Sequence, residues 1–304
     1  MSRERLYRYS EMFGETFQGE GHHCGKNTVW LRWFGCNKTC CGFNNMKDGK
    51  VVIPEKEMYY NTIDLIDVKT IFDVPVQDMG CDSVYSWHPR FRYLAKKDTA
   101  VEIARKLVDL NRNEYNPDGL FVHPTSGQDI HLCFTGGESM MSQQGIVEVL
   151  QHLRGIGNCP RYITVETNGS VNIDFEVKGF IEHFLETGGK EFFWSVSPKL
   201  ESVTGERWAD SICPDVVREY VEASGTGQLK FVCDNTPESW AEITKAVDEF
   251  SAGGVTLPVW IMPEGASSKA QGRHHALIAE EAVRRGYYFA SRVHATVFGA
   301  CPGK

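Results

Sequence analysis

At 304 residues with 41% hydrophobic side chains, the chain can bury a substantial core as one large α/β domain or two ordinary ones, and its composition excludes a disordered or fibrous protein. A formal net charge of −8 argues against wholesale binding to a phosphate backbone, which needs a basic footprint. The N-terminal stretch is charged and no run of about 18 apolar residues occurs, so the expectation is a cytoplasmic chain without signal peptide or membrane span.

Residues 11 to 26 are rich in glycine and polar groups and read as a turn-rich lead-in whose backbone closely approaches something bound. Between its glycines, Gln18 and Glu20 offer an amide and a carboxylate to a polar heterocycle, while His22 and His23 read as exposed. Residues 28 to 34 have the largely apolar pattern of a buried parallel strand, with Arg32 inside it. A guanidinium there must meet an anion, either a structural carboxylate or an acidic ligand. The strand runs into Cys36-x-x-x-Cys40. Two thiolates at that spacing can grip one metal centre, but iron–sulfur clusters and structural zinc need more ligands. Cys24, Cys41 and Cys81 are the nearest candidates, because ten cysteines in a reducing compartment suggest metal binding or burial before disulfides. Residues 44 to 79 are polar and acidic with short apolar patches, and read as an inserted excursion.

From residue 98 the pattern becomes regular. Thr99 and Glu102 form a capping box, and Val101, Ala104, Leu107 and Val108 give a helical face up to about residue 111. Strands at 130–134, 162–165, 192–196, 228–233, 258–262 and 287–293 then alternate with helices at 143–154, 175–185, 215–223, 238–250 and 269–285. The basic pairs Lys96-Lys97 and Arg284-Arg285 read as solvated helix faces. Such alternation implies right-handed βαβ units and a parallel sheet. About six units fall short of the eight in a closed barrel, so the expectation is one domain over 1–304, an open, partial βα barrel interrupted by 44–79. Function in such folds sits at the C-terminal strand ends, where Gly35-Cys36, Thr135-Gly-Gly-Glu138, Glu166-Thr-Asn-Gly169, Ser197-Pro-Lys199 and Pro263-Glu-Gly265 converge.

Several pieces, in this order, resemble the radical S-adenosylmethionine superfamily and, within it, the 7-carboxy-7-deazaguanine synthase family. They are Phe17-Gln-Gly-Glu-Gly21, Leu31-Arg-Trp-Phe-Gly-Cys-Asn37, Cys81-Asp-Ser83 followed by Tyr85-Ser-Trp87, Thr135-Gly-Gly-Glu138, Glu166-Thr-Asn-Gly169, Ser197-Pro-Lys199 and Arg292-Val-His294. The resemblance spans nearly the whole chain apart from 44–79. The family's usual motif is Cys-x3-Cys-x2-Cys, whose third position falls here on Phe43; the tail after Cys81 resembles the one that normally follows the third cysteine. Gly80 stands where an aromatic residue usually precedes it.

The resemblance implies a radical S-adenosylmethionine lyase of the corresponding fold. It implies a 4Fe-4S cluster on Cys36, Cys40 and Cys81, and Mg²⁺ on Ser83. S-adenosylmethionine would contact Gly80, Asp82, Gly136, Gly137, Glu138, Ser197, Pro198, Lys199, Met262, Pro263, Glu264 and Gly265. The implied substrate, 6-carboxy-5,6,7,8-tetrahydropterin, would lie on Phe17, Gln18, Gly19, Glu20, Arg32, Thr135, His294 and Pro302, with Arg32 on its carboxylate and Gln18 and Glu20 on its guanine-like edge. Radical ring contraction would give 7-carboxy-7-deazaguanine and ammonia, a step toward queuosine-type deazapurines, with no general base beyond cluster and S-adenosylmethionine. An electron donor of flavodoxin or ferredoxin type follows, a homodimer is left open, and neither nucleic acid nor membrane is contacted directly. The alternatives are a radical S-adenosylmethionine enzyme acting on another heterocycle, an activase, or a non-catalytic zinc-binding module. The Gln-Gly-Glu-Gly lead-in and Arg32 argue against the first two, and the Gly-Gly-Glu loop against the last.

Overall fold

The computed structural model describes residues 4–75, 80–299 and 302–303. In chain order, β1 (Leu6–Phe17) and β2 (Asn27–Trp33) pair antiparallel, and a small hairpin of β3 (Met46–Lys47) and β4 (Lys50–Val51) lies in the 44–79 excursion. β5 (Lys96–Thr99) pairs antiparallel with β1. The parallel series follows with β6 (His131–Gly136), β7 (Tyr162–Thr167), β8 (Glu191–Val196), β9 (Gly227–Cys233), β10 (Val259–Pro263) and β11 (Tyr288–Phe289). Among the described residues these make one nine-stranded sheet, ordered β11-β10-β9-β8-β7-β6-β2-β1-β5. β2 and β6 to β11 run parallel.

The helices are α1 (Tyr59–Thr62), α2 (Ala100–Leu110), α3 (Gln143–Gly155), α4 (Phe175–Glu186), α5 (Glu201–Thr204), α6 (Trp208–Ser211), α7 (Pro214–Ser224), α8 (Pro237–Ala252), α9 (Ser268–Gln271), α10 (His275–Arg284) and α11 (Val293–Phe298). Their starts follow the sequence chemistry. Thr99 and Glu102 form the reciprocal box that opens α2. Proline at the first turn opens α7 and α8, where the missing N–H costs nothing. No helix among the described residues is long and apolar enough to cross a membrane.

Four expectations are corrected. Residues 11–17 belong to the long strand β1, because the glycine at 14 packs against Leu110 instead of making a turn. The helix expected over 269–285 breaks at residues 272–274 between α9, whose start is capped by the Ser267 hydroxyl accepting from the Ala270 amide, and α10. The strand expected over 287–293 keeps two residues and gives way to α11. Lys96 and Lys97 lie on β5, not on a helix. Within α2, Val101 faces solvent while Ile103 joins the core.

The two faces of the sheet differ, and that difference creates the site. Val29, Leu31 and Trp33 of β2, Leu132 and Phe134 of β6, Ile163 and Val165 of β7, and Phe192, Trp194 and Val196 of β8 alternate onto one face and form the main core with the helices. Each such side chain stabilises the fold by about 1.5–3 kcal/mol when fully buried. The residues between them carry Arg32, Thr135, Glu166, Ser195 and Lys230 onto the opposite face, around a cavity. Parallel strands are ordinarily apolar on both faces. Here the second face is polar.

A second, smaller core joins the excursion to the chain beyond it. Met58, Tyr60, Val68, Ile71 and Val74 pack with Val84, Tyr85, Trp87 and Phe91, and Cys36, Cys41 and Cys81 rest against them. The Gly80 amide donates to the Phe43 carbonyl, so the chain leaves and re-enters at one point.

Candidate active site

The cavity at the polar face has a volume of about 290 Å³. Cys36 reaches it from the loop after β2, Cys40 from the following turn, and Cys81 from the return of the excursion. Cys40 has a left-handed backbone, φ 48°, held by Glu206, whose carboxylate accepts from the Thr39 and Cys40 amides at 2.8 Å each. Burial pushes the Cys36 thiol up to about 12, and raises the Cys40 and Cys81 thiols as well. Thiols so buried become ligands only if a cationic centre takes up their charge. Cys41 turns to the second core, and Cys24 is exposed away from the cavity. Among the described residues no three His, Cys, Asp or Glu side chains converge as on a single ion. The three thiols line the same cavity.

Beside Cys36 lies the turn after β6. A methyl group on Gly137 would sit 2.4 Å from the Gly35 carbonyl oxygen and 2.7 Å from Cys36 Cβ, so only glycine admits this approach. The Glu138 amide donates to Gly35 O at 2.8 Å. The Glu138 carboxylate lies behind the wall and accepts from Met140 N, Thr167 Oγ1 and Asn168 N at 2.9, 2.7 and 2.6 Å, tying this turn to the one after β7. Gly80, Asp82, Ser83, Gly136, Ser197, Lys199, Met262, Pro263, Gly265 and Pro302 border the cavity too. Lys199 Nζ donates to Ser197 Oγ at 3.2 Å. Ser83 Oγ lies 3.4 Å from Cys81 Sγ. Gly19, Pro198 and Glu264 do not border the cavity; Glu264 accepts from the Asn44 amide at the mouth of the excursion.

Deeper in, buried charges alternate. Arg32 Nε donates to Glu11 Oε1 at 2.7 Å, and Tyr85 donates to the same oxygen at 2.8 Å. The structural-carboxylate option for Arg32 is therefore realised, while Arg32 also borders the cavity. Glu20 pairs with Lys230 and, at 3.0 Å, with Arg292 Nε. Burial acts to raise the Glu20 carboxyl, but Lys230 and Arg292 outweigh it and hold the group far below the usual carboxylate range. Glu166 accepts from Thr135 Oγ1 at 2.8 Å and from Gln18 Nε2 at 3.4 Å, aligning the two. Phe17 closes one side, its ring 5.7 Å from that of Phe298. His23 is not exposed as expected: it is buried beneath the sheet and pairs with Glu191 at 2.8 Å.

Lys230, Glu166, Glu11 and Arg292 were not among the expected site residues. The signal was available for the first two, since a charged residue inside a strand pattern demands a partner just as Arg32 did.

No protein-family model matches the chain. It is 23% identical to the 7-carboxy-7-deazaguanine synthase of Rhodopirellula baltica, over 97% of this chain and 89% of that one. It is 23% identical to the enzyme of that name from Halobacterium salinarum, over 94% and 89%, and 25% identical to that from Pyrobaculum aerophilum, over the full length of both. Over nearly its whole length the chain is similar in sequence to these 7-carboxy-7-deazaguanine synthases. In fold it is similar to the crystal structure of QueE from Escherichia coli, with a TM-score of 0.51, 17% identity and 95% of each chain covered. Against the spacing Cys-x3-Cys-x2-Cys that the resemblance implies, the chain carries Phe43 at the third position, and the amide of Gly80, next to Cys81, donates to the Phe43 carbonyl.

Proposed function

We infer that the chain is a radical S-adenosylmethionine lyase that contracts the ring of 6-carboxy-5,6,7,8-tetrahydropterin to 7-carboxy-7-deazaguanine with release of ammonia, in deazapurine biosynthesis. The observation that carries this reading is one cavity bordered at one end by Cys36, Cys40 and Cys81 and at the other by Gln18, Glu20, Arg32 and Thr135. The fold reading is a single domain built as an open radical S-adenosylmethionine barrel, with 44–79 inserted in the cluster loop.

The residues fit the cofactors. Three thiols on one cavity, Cys40 buried and Cys36 and Cys81 half-buried, suit a 4Fe-4S cluster with one iron left open, and Gly136 and Gly137 line the cavity beside them. When bound, the cluster and S-adenosylmethionine supply radical chemistry. The chain's own residues bind and orient. Glu20, kept ionised by Lys230 and Arg292, accepts from a guanidine-like N–H edge, and Gln18 is aimed by Glu166. Arg32, anchored by Glu11, presents its remaining donors to the substrate carboxylate. Ser83 offers one hydroxyl to Mg²⁺, which takes its other ligands from substrate and water. Electrons come from a flavodoxin- or ferredoxin-type protein.

Anaerobic reconstitution followed by incubation with the pterin, S-adenosylmethionine and a reductant tests the reading. The expected result is 7-carboxy-7-deazaguanine; its absence from a preparation with full iron content points to another heterocycle as substrate. Cys81→Ala is expected to lose the cluster's absorption and reduced EPR signal, whereas Cys41→Ala keeps both. The reverse pattern assigns the third ligand to Cys41.

A further inference from the structure

Three consecutive residues, 292–294, hold the loop that bears Gln18 and Glu20. Arg292 Nε donates to Glu20 Oε1 at 3.0 Å, its Nη2 forms an ion pair with Asp82 Oδ2 at 2.7 Å, and its Nη1 donates to the Ala266 carbonyl at 3.1 Å. The Val293 amide donates to Gly19 O at 3.0 Å. His294 lies over Gly19 so closely that a methyl group there would fall 2.0 Å from its Nδ1. Farther along α11, Phe298 reaches Phe17. The loop bearing Gln18 and Glu20 is thus gripped along its length, and the guanidinium reaches past it to Asp82, next to Cys81.

Among the described residues, Arg292 pairs with both Glu20 of the lead-in and Asp82 of the cysteine loop. Glu20 has Lys230 as a second partner, so it does not need Arg292 for charge balance. What Arg292 adds is geometry. Its guanidinium reaches both carboxylates at once, directing a hydrogen bond to Glu20 and an ion pair to Asp82 from one rigid plane. We propose that Arg292 is a positioning residue that clasps the loop carrying Glu20 to the loop carrying Cys81, so that the substrate subsite and the third thiol take up their working geometry together. The catalytic consequence rests on the reading of function given above; the clasp itself rests on the contacts.

The test uses the reconstituted full-length protein with Arg292→Met, Arg292→Lys and Asp82→Asn. Hydrogen exchange is expected to accelerate about tenfold or more in residues 18–24 and 80–86 together in Arg292→Met, with the sheet unchanged. In turnover, that variant should keep wild-type iron per chain, raise KM for the pterin about tenfold or more, and release more 5′-deoxyadenosine per product, with Arg292→Lys partly restoring coupling. Acceleration in one loop alone, a general rise across the sheet, or wild-type KM and coupling in Arg292→Met overturns the proposal. Should Arg292→Met not fold, Asp82→Asn cuts only the arm to the cluster loop and must still loosen both segments. A cluster-replete wild type that makes no product sinks the functional reading instead, and the exchange result then decides the clasp.

Discussion

Arg32 and Glu11 form a buried pair in which the second Glu11 oxygen has no partner among the described residues. Removing one member leaves the other charge uncompensated, so Glu11→Gln is expected to cost about 3 kcal/mol in denaturant unfolding, and the double variant with Arg32→Ala less than the two single costs summed. Arg32→Ala should abolish product while sparing uncoupled S-adenosylmethionine cleavage, measured as 5′-deoxyadenosine. Glu264 gives a pH signature. Burial, the dominant cause, raises its carboxyl from 4.5 to about 7. The folded state therefore binds the proton more tightly than the unfolded chain. Its stabilising effect is complete below about 4.5 and fades as pH rises toward 7, a loss of about 2 kcal/mol after screening. His131, which burial holds down to about 4, acts in the opposite direction over the same window in both proteins, so the urea midpoint of wild type should fall relative to that of Glu264→Gln as pH rises from about 4.5 to 7. At this scale Arg32 was legible because a cation in an apolar strand stands out. Lys230 sends the same message from Gln-Leu-Lys-Phe-Val, but its partner lies two hundred residues away in the lead-in and leaves no local trace.

Elements with strong local rules were readable from sequence. The capping box of α2, the prolines of α7 and α8, and the apolar stripes of the parallel strands all fall where periodicity and caps put them. What escaped was held by distant partners. β1 is polar and glycine-bearing, and only its pairing between β2 and β5 makes it a strand. The α9 to α10 break and the shortening of β11 are similarly tertiary. The excursion's small core shows no period because its members come from turns and single helical turns. Phe91, fully buried in that core, offers a selective probe. Phe91→Ala should cost about 3–5 kcal/mol locally. Iron retention and exchange protection over 58–75 should fall, while the far-UV circular dichroism midpoint of the main sheet moves little.

For the whole molecule, two cores with different duties meet at the cysteine loop. The main core lies on the helix side of the sheet, while the smaller one has Cys36 and Cys81 packed against it. Chelation of the iron is accordingly expected to leave the thermal transition of the sheet in place and to loosen residues 36–43 and 58–91, read by exchange with and without the cluster. A chelated protein that lost all protection at once would show that the two cores fold as one.

The single backbone hydrogen bond between Gly80 and Phe43 makes the excursion a cassette with adjoining ends. Splicing Gly42 directly to Cys81 would rewrite the loop as Cys-x3-Cys-x2-Cys, the spacing that the sequence resemblance implies. The graft would also strip Val84, Trp87 and Phe91 of their cover from Met58, Tyr60 and Ile71. The cassette can therefore be exchanged cleanly only with a replacement that brings its own apolar lid.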